Sequence, residues 1–220
     1  MRTIRITGTG NLKIRPDLTR ISVTMTEVKK DYAETLKASS DSTEALKDLF
    51  SGFGFGREEL KTLSFGVDPE FESYREKNEY RQRLIGYRYR HMMKIEFPSD
   101  NERLGRQLYA LANSELCPEF NISYTVKDRE AAKNALLAKA VTDAKEKAAV
   151  LTEAAGLTLK EIQSVDYSRG ELVMEVRPMN MLRAAPKMAA DECADASYSM
   201  DIEPDDINVS DTVTIVWEIE

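Results

Sequence analysis

Two stretches of this sequence constrain each other residue by residue: 63–74 and 80–97, on either side of Lys77-Asn78-Glu79. In the first, the odd positions include Phe65, Val67 and Phe71, and the even positions Asp68, Glu70 and Glu72. In the second, the odd positions are Ile85, Tyr87, Tyr89, His91, Met93, Ile95 and Phe97, and the even ones include Arg88, Arg90 and Lys94. A turn centred on Asn78 sets odd against odd and even against even. One face of the pair is then apolar, and the other sets acids against bases across the strands. Two independent patterns therefore predict one long antiparallel hairpin.

The remaining elements have to pack on that hairpin. The alternation of Ile4 and Ile6 predicts a strand that Gly8 and Gly10 break, followed after Pro16-Asp17 by a second strand over 18–28 with Ile21, Val23 and Met25 on one face. Asp31, with Glu34 three residues on, marks a helix start. Tyr32, Leu36, Ser39, Thr43, Leu46 and Phe50 give it one stripe, and the run Gly52-Phe53-Gly54-Phe55-Gly56 ends it. That run is no phosphate loop, because it follows a helix and lacks the Lys-Ser/Thr signature. A shorter helix over 100–113 carries Leu104, Leu108 and Leu111, and a strand follows over 116–126. Asp128 opens the longest helix, 129–155, whose stripe reads Leu137, Val141, Ala144, Ala148, Leu151 and Ala155, with Gly156 closing it. An Ala-rich stripe lets its neighbour approach closely. Residues 157–176 read as one strand, or two with a break at Gly170. The tract 177–199 has no period and reads as a long irregular loop, and 209–220 is a strand with Val213, Ile215, Trp217 and Ile219 on one face.

The fold class this implies is α+β: mostly antiparallel sheets packed by two long helices and a shorter one, with the long loop before the C-terminal strand. At 220 residues the chain reads as a single domain over 1–220, and a division into two lobes, about 1–97 and about 98–220, is left open.

Charge and chemistry narrow the function classes. The net charge of −7 lacks the basic field of a nucleic-acid binder. The basic residues Arg81, Arg83, Arg88, Arg90 and Lys94 do interleave with Tyr80, Tyr87 and Tyr89, but strand parity puts Tyr87 and Tyr89 on the face opposite Arg88 and Arg90. His91 is the only histidine and falls on the apolar face between Tyr89 and Met93. It reads as a satisfied core or interface side chain, which argues against His-assisted hydrolysis and against zinc. Glu203, Asp205, Asp206 and Asp211 lack the spacing of a calcium loop and read as a solvated turn. The acids Asp68, Glu70 and Glu72 are accounted for by their cross-strand bases. Cys117 and Cys193 show no metal or redox spacing. No basic n-region with an apolar h-region opens the sequence, and no apolar run reaches membrane length. The expected location is cytoplasmic, with export to the periplasm as the alternative.

Several segments together resemble the SIMPL-domain family. They are Ile4-Arg5-Ile6-Thr7-Gly8-Thr9-Gly10 with Arg15-Pro16-Asp17, then Gly86-Tyr87, then Ala140–Ala148 running to Ala154-Ala155-Gly156, and Ile202-Glu203-Pro204 before the last strand. Asp205 stands where many members have Gly. The resemblance implies a family without established catalytic residues. Its members include periplasmic bacterial proteins, some linked to oxidative-stress defence, and at least one resembles a ring- or channel-like homo-oligomer. The expectation is a non-enzymatic, self-assembling protein with no cofactor, no metal, no nucleic acid and no membrane partner. Two alternatives stand beside it: an adaptor that recruits a protein partner through the 177–199 loop, with Met179, Met181 and Met188 as an adaptable contact, and a carboxylate-based enzyme.

Overall fold

The computed structural model describes residues 2–76, 79–167, 172–177 and 203–220. The expected loop 177–199, with its three methionines and Cys193, lies almost wholly outside the described residues, as does the expected break at Gly170. Eight strands and three helices are described: β1 (Arg2–Ile14), β2 (Leu18–Lys29), α1 (Tyr32–Ser51), β3 (Lys61–Glu76), β4 (Glu79–Pro98), α2 (Asn101–Asn113), β5 (Glu119–Thr125), α3 (Arg129–Ala154), β6 (Leu159–Asp166), β7 (Glu175–Val176) and β8 (Ile207–Ile219). Every described ladder with a resolved register is antiparallel, which is the α+β class expected.

The chain forms two units. One gathers Met1–Asp17, Tyr124–Val176 and Pro204–Glu220, and the other is built on Leu18–Ser123. In the first unit the strand order is β1-β8-β6, and α3 covers one face. Gly8 and Gly10 do not break the first strand, contrary to expectation; β1 runs straight through them. A Cβ on Gly8 would stand 2.1 Å from the Ala140 carbonyl oxygen, and one on Gly10 2.2 Å from that of Leu136. These glycines are the places where helix backbone lies on strand backbone, a recognised use of glycine within a strand. The α3 stripe is also corrected. The buried residues are Ala132, Leu136, Ala140, Ala144, Ala148 and Thr152, a strict four-residue row, while Leu151 is exposed. A four-residue row winds around the helix and follows the twist of the strands beneath it. Ile6, Val213, Ile215 and Trp217 complete this core. Gly156 takes the left-handed conformation expected of a helix terminator.

The second unit orders its strands β3-β4-β2-β5, counting the part of β5 before Tyr124. Its core uses large side chains: Phe50, Tyr89, Met93, Ile95, Phe97, Leu104 and Leu111 are almost fully buried. Asp100 caps α2 through the Arg103 N–H at 3.0 Å, and Asp128 caps α3 through the Ala131 N–H at 2.8 Å. Asp31 holds the N-cap of α1 but makes no side-chain cap; the Thr35 hydroxyl instead donates to its carbonyl. Of the expected α1 stripe, Ser39, Leu46 and Phe50 are buried, joined by Thr35, while Tyr32 and Leu36 remain exposed.

The predicted hairpin is present, longer by a few residues at its ends. Its expected register holds, odd to odd where Phe65 faces His91 and Val67 faces Tyr89, and even to even where Asp68 faces Arg88. It fails toward the tip, where Phe71 faces Leu84, Ser73 faces Gln82 and Arg75 faces Tyr80. The cause is a bulge at Ile85, the extra residue between Leu84 and Gly86. Gly86 has φ +155, and a side chain there would meet the Lys29 carbonyl oxygen at 2.2 Å. Only glycine serves at that position.

Candidate interaction surface

The register of β2 decides what the hairpin can do. β2 pairs with β4 only from Tyr87 to Pro98. Residues Glu79–Gly86 of β4, and Glu70–Glu76 opposite them on β3, continue as a ribbon of two strands. α1 begins at Tyr32, whose ring meets Tyr87 edge-on at 5.5 Å, and so covers β4 from that point inward. Beyond it the ribbon is exposed on both sides. Phe71 is 52% exposed, Leu84 50% and Tyr80 82%. An isolated two-stranded ribbon is marginal in water, and one that shows its apolar residues needs a covering surface.

The bulge gathers those residues on one face. Because β4 slips by one position at Ile85, Leu84 and Tyr80 share a side with Phe71 and Arg75, in line with Pro69, Tyr87 and Val67 further in. The other side carries the ion pairs. Arg88 reaches Glu70 and Arg83 reaches Glu72, the latter at 2.6 Å. Arg88 holds the Glu70 carboxyl below its ordinary range, chiefly through this hydrogen bond. Arg83 also lies 5.7 Å from the Tyr74 ring centroid, and Arg75 lies 6.0 Å from that of Tyr80. Parity does keep Tyr87 and Tyr89 away from Arg88 and Arg90. At the tip, however, tyrosine and arginine associate directly, a pairing that the bulge concealed from the sequence.

Two of the edge strands, β1 and β3, are treated differently. β1 is an edge, and its outward groups are occupied by α3: the Thr9 N–H donates to Asp143 Oδ2 at 2.6 Å, and Lys139 donates to the Asn11 carbonyl at 3.3 Å. Lys147 and the Thr9 amide hold the Asp143 carboxyl below its usual range. β3 forms one edge of the other sheet, with Pro69 in it. Proline has no N–H to give a ladder, so its place on an edge strand interrupts any strand added alongside.

The remaining candidates fall into place locally. His91 bonds through both ring nitrogens, Nδ1 to Thr43 Oγ1 at 3.1 Å and Nε2 to Thr62 Oγ1 at 2.9 Å, with the Phe65 ring edge-on at 5.2 Å. Burial first, and the Lys47 ammonium second, push the imidazole below its ordinary range. It is a satisfied histidine, as its position on the apolar face suggested. Asp211 accepts from the Tyr167 hydroxyl at 3.0 Å and from the Thr212 N–H, and Asp205 accepts from the Asp206 N–H. Among the described residues no group of three or more His, Cys, Asp or Glu is placed to hold a metal ion. Cys117 is exposed, at φ 44, and forms no disulfide among the described residues. No described helix is long and apolar enough to cross a membrane.

These features define a class: an α+β protein of antiparallel sheets in two units, one of which extends a bare two-stranded arm. A family model described as SIMPL, protein of unknown function (DUF541), matches residues 4–217, nearly the whole chain. The chain belongs to the SIMPL family. No curated protein matches this sequence.

Proposed function

We propose that this protein acts by assembling with copies of itself rather than by catalysing a reaction, and that the arm of β3 and β4 is the contact. The observation that carries this reading is the bare apolar face of Phe71, Leu84 and Tyr80 on a ribbon too thin to be stable alone. The charges of the arm favour a second copy as the occupant. Glu70 pairs with Arg88, Glu72 with Arg83 and Glu79 with Arg81, so these charges are matched within the hairpin, while Arg75 lies beside the Tyr80 ring. An apolar patch suits the same patch on another chain. Pro69 on the β3 edge favours burial of the face over extension of the sheet.

The test is the solution mass by light scattering behind a sizing column, with and without reductant. A defined oligomer at micromolar concentration is expected. The double variant Phe71→Ser, Leu84→Ser is expected to be monomeric with an unchanged circular dichroism spectrum. A monomeric parent protein would overturn the reading and favour an adaptor that recruits a different protein. A cytoplasmic location is part of the same proposal, supported by the exposed thiol of Cys117, which forms no disulfide among the described residues and suits a reducing compartment. Fractionation of the expressing cell tests it.

A further inference from the structure

The hydrogen bonds around His91 fix its tautomer. The Thr43 hydroxyl donates its only proton to the Ser39 carbonyl at 2.7 Å. Its oxygen can then only accept from His91 Nδ1 at 3.1 Å, which places the imidazole proton on Nδ1. A neutral imidazole so oriented presents the Nε2 lone pair, and the group 2.9 Å from it is the Thr62 hydroxyl, which must donate. Thr62 is an exposed residue on β3, an edge strand, and is therefore accessible from solvent. The order is that of an activated nucleophile: a hydroxyl on a base, and the base held in one tautomer by a third group. Thr43 of α1 and Thr62 of β3 bond to the ring and the Phe65 ring of β3 lies edge-on to it; Met25 of β2 is its register partner, and Lys47 of α1 is the charged group that acts on it. Nothing in that set favours the protonated ring, so the base is free at neutral pH.

We infer that Thr62 is a site of covalent acylation, at which His91 acts as general base and Thr43 as positioning residue, and which takes acyl groups from activated esters. In the step, Thr62 Oγ1 attacks the ester carbonyl and its proton passes to His91 Nε2. The carbonyl carbon–oxygen bond to the leaving group breaks, and the departing oxyanion takes the proton from His91. One chain gains one acyl group, and one alcohol or phenol is released. No second substrate is required. General-base assistance of this kind raises the rate by about 10²-fold or more over an unassisted hydroxyl. The site is independent of the arm and of self-assembly.

The probe is p-nitrophenyl acetate, offered to the full chain at pH 7.5. Release of nitrophenolate is followed in time, and the adduct is located by peptide mass spectrometry. The expected result is one acetyl group on Thr62, gained with a rate that rises with pH to a plateau whose midpoint lies below the ordinary imidazole value of about 6.5. His91→Gln is expected to slow labelling of Thr62 by about 10²-fold. Thr62→Ser should keep the labelling and Thr62→Val abolish it. Thr43→Val should slow it and move the pH midpoint, a change that a purely structural role would not produce. Labelling confined to lysines and the chain terminus would overturn the inference. So would labelling of Thr62 at equal rates in the parent and in a folded His91→Gln variant, or nitrophenolate release retained in Thr62→Val, which would make the imidazole itself the nucleophile.

Discussion

The two units bury their cores by opposite means. In the unit of β1, β8, β6 and α3, the contact is made by absence: Gly8 and Gly10 offer no side chain, and Ala140, Ala144 and Ala148 offer one methyl each. Backbone meets backbone, and the energy comes from close approach along a continuous line. In the unit of β2, β3, β4 and α1, the space is filled by Phe50, Phe55, Tyr89 and Phe97, and Phe50 and Phe97 both meet the ring of Phe55 edge-on. One core has no room for an added atom, and the other tolerates no lost volume. The difference teaches that composition alone says little about tightness, since the unit with the smaller residues has the closer contact.

Adding volume to the first unit should do the most damage. Gly8→Val places two methyl groups and a Cβ where the Ala140 carbonyl stands, and α3 cannot seat. The expected result is loss of the cooperative unfolding transition reported by Trp217, the only tryptophan, which is buried in that core. A cooperative transition within 1 kcal/mol of the parent, taken as about the ordinary effect of a point mutation, would break the comparison. Removing volume from the second unit comes next. Phe50→Ala should cost about 3–5 kcal/mol in denaturant unfolding. Ala144→Gly in the first unit should cost only about 1 kcal/mol, close to the helix-propensity difference alone.

A third change runs the other way. Gln107 on α2 is fully buried, and among the described residues neither its Nε2 nor its Oε1 has a partner. Gln107→Met keeps the shape and removes the amide, and should raise stability by about 1–3 kcal/mol. A loss instead would show that the amide has a partner in the folded protein.

The smallest effect is that of pH. The folded His91 imidazole titrates below its ordinary value, so at mildly acidic pH the unfolded chain takes up the proton more readily. The stability that the neutral ring contributes is fully present above about pH 6.5 and is lost as pH falls through the folded value. The depressed carboxyls of Glu70, Glu96 and Asp143 act in the same direction, but only below their ordinary values near about pH 4. A decline in stability as pH falls below about 6.5 that vanishes in His91→Gln is expected, and the single histidine makes its titration directly readable by NMR.

What the sequence showed depends on range. The caps Asp100 and Asp128 are satisfied three residues away, and both helix starts were legible. The hairpin was legible because its two arms are neighbours and carry matching patterns. Gly8 and Gly10 misled because glycine ordinarily interrupts a strand, and the helix that needs them lies more than a hundred residues on. The four-residue row of α3 was hidden by the same cause: without the twist of β1 and β8, Leu151 looks as core-like as Ala148. The bulge at Ile85 left no mark beyond Gly86, yet it decides which residues share the bare face of the arm. His91 was legible as a satisfied side chain. Its partners Thr43 and Thr62 were not, because threonines are too common for their alignment to stand out.

The pairing of Arg2 with Ile219 has a consequence in time as well as space. During synthesis β1 emerges first among the described strands and β8 last, and at about 5–20 residues per second the wait is about 10–40 s. Nearly everything in the unit built on Leu18–Ser123 leaves the ribosome in that interval. Meanwhile β1 is a nascent strand with both edges unpaired. α3 is complete well before β8, and it carries Asp143 and Lys139, the groups that occupy the outer edge of β1. The helix that gives the finished sheet its close contact is thus also the first available chaperone for the strand it covers.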